Sequence, residues 1–112
     1  MSMKVFVILC NGDKDVAEGV GLRYSFNAAA KKWMDDVKVI LFGPSEELVA
    51  KDPGFQAKIK ELQQAGVEVI ACKAYSDEKN ITGILESAGL KVVYVGAIIS
   101  QLLKDGWASL TF

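Results

Sequence analysis

The 112-residue chain contains no histidine. That removes the usual general base, so no Ser–His or Cys–His nucleophilic pair can form within one chain. Cysteine is scarce as well. Cys10 and Cys72 are the only two, too far apart for a CxxC or metal-ligand spacing, so neither a zinc site nor a disulfide framework is encoded. Proline occurs twice, and no Ser- or Pro-rich linker divides the chain. It reads as a single domain, 1–112, long enough for a core without staples. Neither charge sign dominates: 13 basic residues face 14 acidic ones, and Lys31, Lys32, Lys58 and Lys60 are interleaved with carboxylates. No basic stripe forms, so direct nucleic-acid binding is not expected. No apolar run is long enough to cross a membrane, and Val5 to Cys10 is too short for a signal segment. The expectation is a reducing, cytoplasmic location with no membrane contact, no metal and no cofactor. In that setting the Asn80-Ile81-Thr82 sequon carries no meaning.

What the chain has is apolar content, 51% of its residues. That excludes disorder and mildly favours a buried oligomer interface, because a small monomer has limited interior. The apolar residues alternate between two patterns. Lys4 to Cys10 is a near-continuous Val/Ile run, the signature of a strand buried on both faces. After the turn at Asn11-Gly12-Asp13, Val16 to Met34 carries helical spacing through Val20, Phe26, Ala29, Ala30 and Trp33, weakened by Gly19 and Gly21. Val37 to Phe42 reads as a second strand, Ser45 to Lys51 as a short helix, and Asp52-Pro53 as the start of a helix ending at Gly66. Val67 to Ala71 is the third strand and Ser76 to Ala88 a helix closed by Gly89. Lys91 to Val95, Ala97 to Lys104 and Trp107 to Leu110 complete the series as strand, helix and strand. Five strands separated by helices predict an α/β fold, a three-layer α/β/α sandwich with a five-stranded parallel sheet.

Cys72 stands where the third strand gives way to a polar helix start, the end of an α/β sheet at which ligands bind. Without histidine, any activation of this thiol must come from the backbone amides of Lys73, Ala74, Tyr75 and Ser76 and from the Lys73 ammonium, with Asp77 and Glu78 opposing. An inert buried thiol is the competing reading. Cys10 also ends a strand. If the first and third strands are neighbours the two thiols can approach; if one strand separates them they lie about 10 Å apart, beyond disulfide reach, and Cys10 is read as structural. Gly19-Val20-Gly21 lies inside a helix and lacks a third glycine, so it is no dinucleotide loop. A phospho-acceptor aspartate is disfavoured because cysteine occupies the end of the third strand. The carboxylate pairs Asp35-Asp36, Glu46-Glu47 and Asp77-Glu78 read as solvated helix-end charges. Asn11, Tyr94 and Trp107 are candidate pocket or interface residues, against core packing for the aromatics.

The opening strand, the long helix with Asn27-Ala28, the strand leading to Phe42-Gly43, the stretch ELQQAGVEVIAC and the terminal QLLKDGWASLTF together resemble DsrE/DsrF-like proteins, a group that includes the sulfur-relay subunits of TusD and DsrE type. The resemblance spans nearly the whole chain. It implies the DsrEFH-like five-stranded sheet, assembly as a homotrimer or homohexamer, and a cysteine carrying persulfide sulfur between donor and acceptor proteins; that cysteine maps to Cys72. Two alternatives stand beside the carrier: a non-catalytic oligomeric module that binds a small ligand or a protein, and a thiol redox sensor.

Overall fold

A computed structural model describes residues 2–112. The chain runs β1 (Lys4–Leu9), α1 (Lys14–Val16), a π-helical segment (Ala17–Leu22), α2 (Arg23–Ala30), β2 (Asp36–Leu41), α3 (Ser45–Lys51) and α4 (Pro53–Gln64). Then follow β3 (Glu68–Cys72), α5 (Lys73–Glu78), α6 (Thr82–Ser87), β4 (Lys91–Val93), α7 (Val95–Lys104) and β5 (Ala108–Thr111). All five strands are parallel, in the order β4-β3-β2-β1-β5. The expected three-layer α/β/α sandwich is present.

The layers follow from handedness. Steps from β1 to β2, β3 and β4 all move one way across the sheet, so right-handed crossovers put their helices on one face. There Val5, Val7, Val39, Leu41, Val69 and Ala71 meet Leu22, Phe55, Ile59, Leu62 and Leu85 in the larger core cluster. The return from β4 to β5 runs the other way, and α7 packs on the second face. Its Val95 and Leu102 cover Phe6, Ile40, Ile70 and Cys72.

Local signals set most element ends. Asp13 caps α1 by accepting from the Asp15 and Val16 amides, and Asp52 caps α4 by accepting from the Phe55 amide with Pro53 behind it. Gly66 and Gly89 end α4 and α6 with φ near +90°, which an L side chain resists.

Two helices depart from expectation. The long helix begins two residues earlier, ends at Ala30 rather than Met34, and passes through a π turn where Arg23 N–H bonds back five residues to Glu18 O. Gly21 accounts for the path there: a Cβ at that position would sit 2.5 Å from Leu9 Cδ1. The missing side chain lets the helix close onto β1, and Ser25 Oγ–H donates to Gly21 O. The helix expected over Ser76 to Ala88 is two, α5 starting immediately after Cys72 and α6 after a turn in which Asn80 adopts φ 57°. Asparagine tolerates this left-handed geometry better than most residues. Periodicity alone does not register such a break. Strand limits shift by one or two residues, as at Asp36–Leu41 in place of Val37 to Phe42.

Candidate functional site at the carboxyl edge of the sheet

The connection leaving β3 packs on the larger core through Leu85, whereas the connection leaving β4 packs on the opposite face through Val95. Where neighbouring strands send their connections to opposite faces, the loops part and leave a crevice. Cys72 and Val93 are paired across that boundary. The thiol singled out from sequence therefore stands at the topological switch point.

The register places the rest of the edge. Leu9 pairs with Leu41, and Leu41 with Ala71. One step on, Cys10, Phe42 and Cys72 leave the sheet in a row. With β2 between them, the two cysteines stand about 10 Å apart, and both thiols are free. Burial pushes the Cys10 thiol up from its ordinary value, which keeps it protonated near neutrality.

Cys72 is 4% exposed. It occupies the cap position of α5, and its side chain accepts no hydrogen bond from the first turn. The sulfur belongs to the apolar cluster under α7, with Tyr75 and Val93 packed against that cluster.

The polar residues following Cys72 are engaged with one another. Lys73 Nζ lies 3.0 Å from Asp77 Oδ2 and 6.0 Å from the centre of the Tyr94 ring. The Asp77 carboxyl is held below its ordinary range by hydrogen bonds from Thr82 and Lys73. Ser76 Oγ lies 3.1 Å from Lys73 O and 2.6 Å from Thr82 Oγ1, whose own O–H donates to Asp77 Oδ1. Tyr75 O–H donates to Glu47 Oε2 at 2.8 Å, and burial with that bond pushes the phenol up to about 12. The Tyr75 and Ser76 side chains thus clamp α5 to α3 and α6, while Lys73 pairs within α5. Ala74, between Lys73 and Tyr75, is exposed.

Of the candidate pocket residues, Tyr94 (64% exposed) lies beside Lys73 at this edge. Asn11 follows β1 at the same edge, its Oδ1 accepting from the Asp13 amide. Trp107 does not join them. It precedes β5 at the amino edge, where Lys4 and Lys38 Nζ lie 5.6 and 5.4 Å from its ring centre.

One residue read as solvated is deeply buried. Glu46 is 0% exposed, with Oε2 accepting from Gly43 N–H at 2.9 Å and Oε1 without a partner. Desolvation, offset in part by the Gly43 bond, raises its carboxyl to about 7. Nothing in its local sequence separates it from Glu47, which stays partly exposed. Gly43, at φ 110°, turns the chain between β2 and α3 and brings its amide to Glu46 Oε2. Among the described residues no group of acidic, cysteine or histidine side chains could hold a metal, and no helix is long and apolar enough to cross a membrane.

A model of the DsrE/DsrF-like family matches residues 3–112. No curated protein matches the chain. Among solved structures, a conserved protein of unknown function from Bacteroides thetaiotaomicron shares 28% identity at a TM-score of 0.89, over 97% of this chain and 95% of its own. The ychN protein of E. coli, at 18% identity and TM-score 0.81, covers 98% of this chain and 99% of its own. A protein of unknown function from Methanobacterium thermoautotrophicum gives the same identity, score and coverage. The two more distant structures share the fold.

Proposed function

The chain belongs to the DsrE/DsrF-like family, and from that premise we propose that it is a sulfur-relay protein carrying persulfide sulfur on Cys72 as a homo-oligomer. The observation that carries this reading is the position of Cys72 at the switch point of the sheet, on the last residue of β3. The Cys72 thiolate attacks the terminal sulfur of a donor persulfide R–S–SH. A new S–S bond forms, the donor S–S bond breaks, and R–S⁻ leaves, giving Cys72–S–SH without net oxidation. Delivery is the same exchange in reverse order, with the acceptor thiolate attacking the terminal sulfur held on Cys72.

With Cys72 4% exposed in the protomer, sulfur reaches it only when α5 and the start of α7 part. Tyr75 and Val95 are the side chains that have to move. The burial itself favours a second reading, an oligomeric binding module with an incidental thiol. Persulfide-selective tagging after exposure to a sulfane donor separates the two. Carrier function requires labelling of wild type and Cys10→Ser and its loss in Cys72→Ser. Equal labelling of Cys72→Ser removes the carrier, and absence of labelling together with slow alkylation of the native thiol favours the module. An oxidised dimer that Cys72→Ala abolishes marks a redox sensor instead.

A further inference from the structure

Glu46 is a charge-bearing side chain held where nothing stabilises a charge. It is fully buried in the first turn of α3, a position that favours the neutral carboxyl. Oε2 accepts from the Gly43 amide and Oε1 has no partner. None of the ion pairs among the described residues includes Glu46. The elements around it supply no cation. Helix α3 packs against α4 and α6, whose charges, Lys58, Lys60, Glu61 and Glu86, are all exposed, as is Lys51 of α3 itself. The end of β1 contributes Cys10, a thiol that burial keeps protonated. On α5, Lys73 is spent on Asp77.

The next residue in the same turn reaches towards the thiol. Glu47 Oε2 accepts from Tyr75 O–H, and Tyr75 packs against the apolar cluster that contains Cys72. The Glu46 and Glu78 carboxylates raise the Tyr75 phenol further, which puts Glu46 within electrostatic reach of it. Ser45 ties the start of the turn to β1, its N–H donating to Cys10 O and its Oγ–H to Leu9 O. An outward movement of Glu46 therefore displaces the residues after Ser45, Glu47 first.

We propose that the first turn of α3 is a pH-operated latch on Cys72, closed while Glu46 is neutral and opened when its ionised carboxylate moves to water and draws Glu47 away from Tyr75. The latch rests on the reading of Cys72 as the working thiol, yet access alone is measured without a sulfur donor, so either can fail without the other. The closed form holds the Glu46 proton up to about pH 7 and a freed carboxyl only to the ordinary 4.5. Opening therefore rises with pH between those values and levels off above them. In a Cys10→Ser background Cys72 is the sole cysteine, and its alkylation by iodoacetamide is timed with and without Glu46→Gln. Thiolate ionisation is common to both proteins and cancels in the ratio of their rates. Between pH 6 and pH 8 the protein with Glu46 is expected to gain about tenfold on the Gln variant. Tyr75→Phe keeps the ring and removes the bond to Glu47, and in that background the gain is expected to disappear. A ratio that does not change with pH overturns the latch. So does a gain that persists in Tyr75→Phe, which marks exposure by global unfolding.

Discussion

Cys72 and Glu46 are both buried at the same edge of the sheet, yet they differ in what burial does to them. The thiol is a small, weakly polar group that an apolar cluster accommodates readily. The carboxyl is not, and its environment keeps it neutral to about pH 7. Because the folded value lies above the ordinary 4.5, the native state binds more protons than the unfolded chain between those two values. Stability from this group is therefore present below pH 4.5 and is lost as pH rises through 7. Glu46→Gln keeps an acceptor for the Gly43 amide and has no charge to bury. The variant is expected to be more stable than wild type at pH 8, by up to about 3 kcal/mol, with the difference shrinking towards pH 5. Urea unfolding of both proteins at the two pH values measures it, and a difference independent of pH contradicts the assignment. Tyr75→Phe tests the neighbouring clamp. Loss of the bond to Glu47 is expected to cost about 1 kcal/mol, read from the same unfolding curves.

Gly19 and Gly21 stand two residues apart in one π segment and have opposite requirements. At Gly21 a methyl group meets Leu9, a fully buried residue of the larger core. Gly21→Ala is expected to destabilise by about 1–3 kcal/mol, and pairing it with Leu9→Val is expected to cost less than the two single changes added. Gly19 has open space, so Gly19→Ala is expected to stabilise by about 0.5–1 kcal/mol. Thermal melts of the three single variants and the double variant decide both. This pair also marks what is legible in sequence. The Val/Ile runs, the Asp52-Pro53 start and the glycine stops at Gly66 and Gly89 depend on the backbone alone, and the strands and α4 followed from them. The π turn depends on Leu9, a residue on another element, and the break at Asn80 on the clamp of Ser76, Asp77 and Thr82. The placement of Cys72 at the end of the third strand was legible because a strand end is a local feature. The burial of Glu46 and the remoteness of Trp107 were not, because each is decided by how elements lie against one another.

Over the whole molecule, the two faces of the sheet are covered unequally. The π segment with α2, α3, α4 and α6 closes one side, and α7, joined only by Tyr75 of α5, closes the other. Phe42, Tyr94 and Leu103 remain 40%, 64% and 55% exposed. Such exposed apolar residues accord with the proposed assembly as a homotrimer or homohexamer. Light scattering at micromolar concentration is expected to return one of those assemblies, and Leu103→Asp to shift it towards smaller species. A compact monomer removes the assembly from the account. The central claim, sulfur held on Cys72, is tested most directly by mass spectrometry of the intact protein after exposure to a sulfane donor. The account predicts a gain of one sulfur atom, reversed by a thiol reductant, retained in Cys10→Ser and absent from Cys72→Ser. An unchanged mass for wild type, or the same gain in Cys72→Ser, contradicts it.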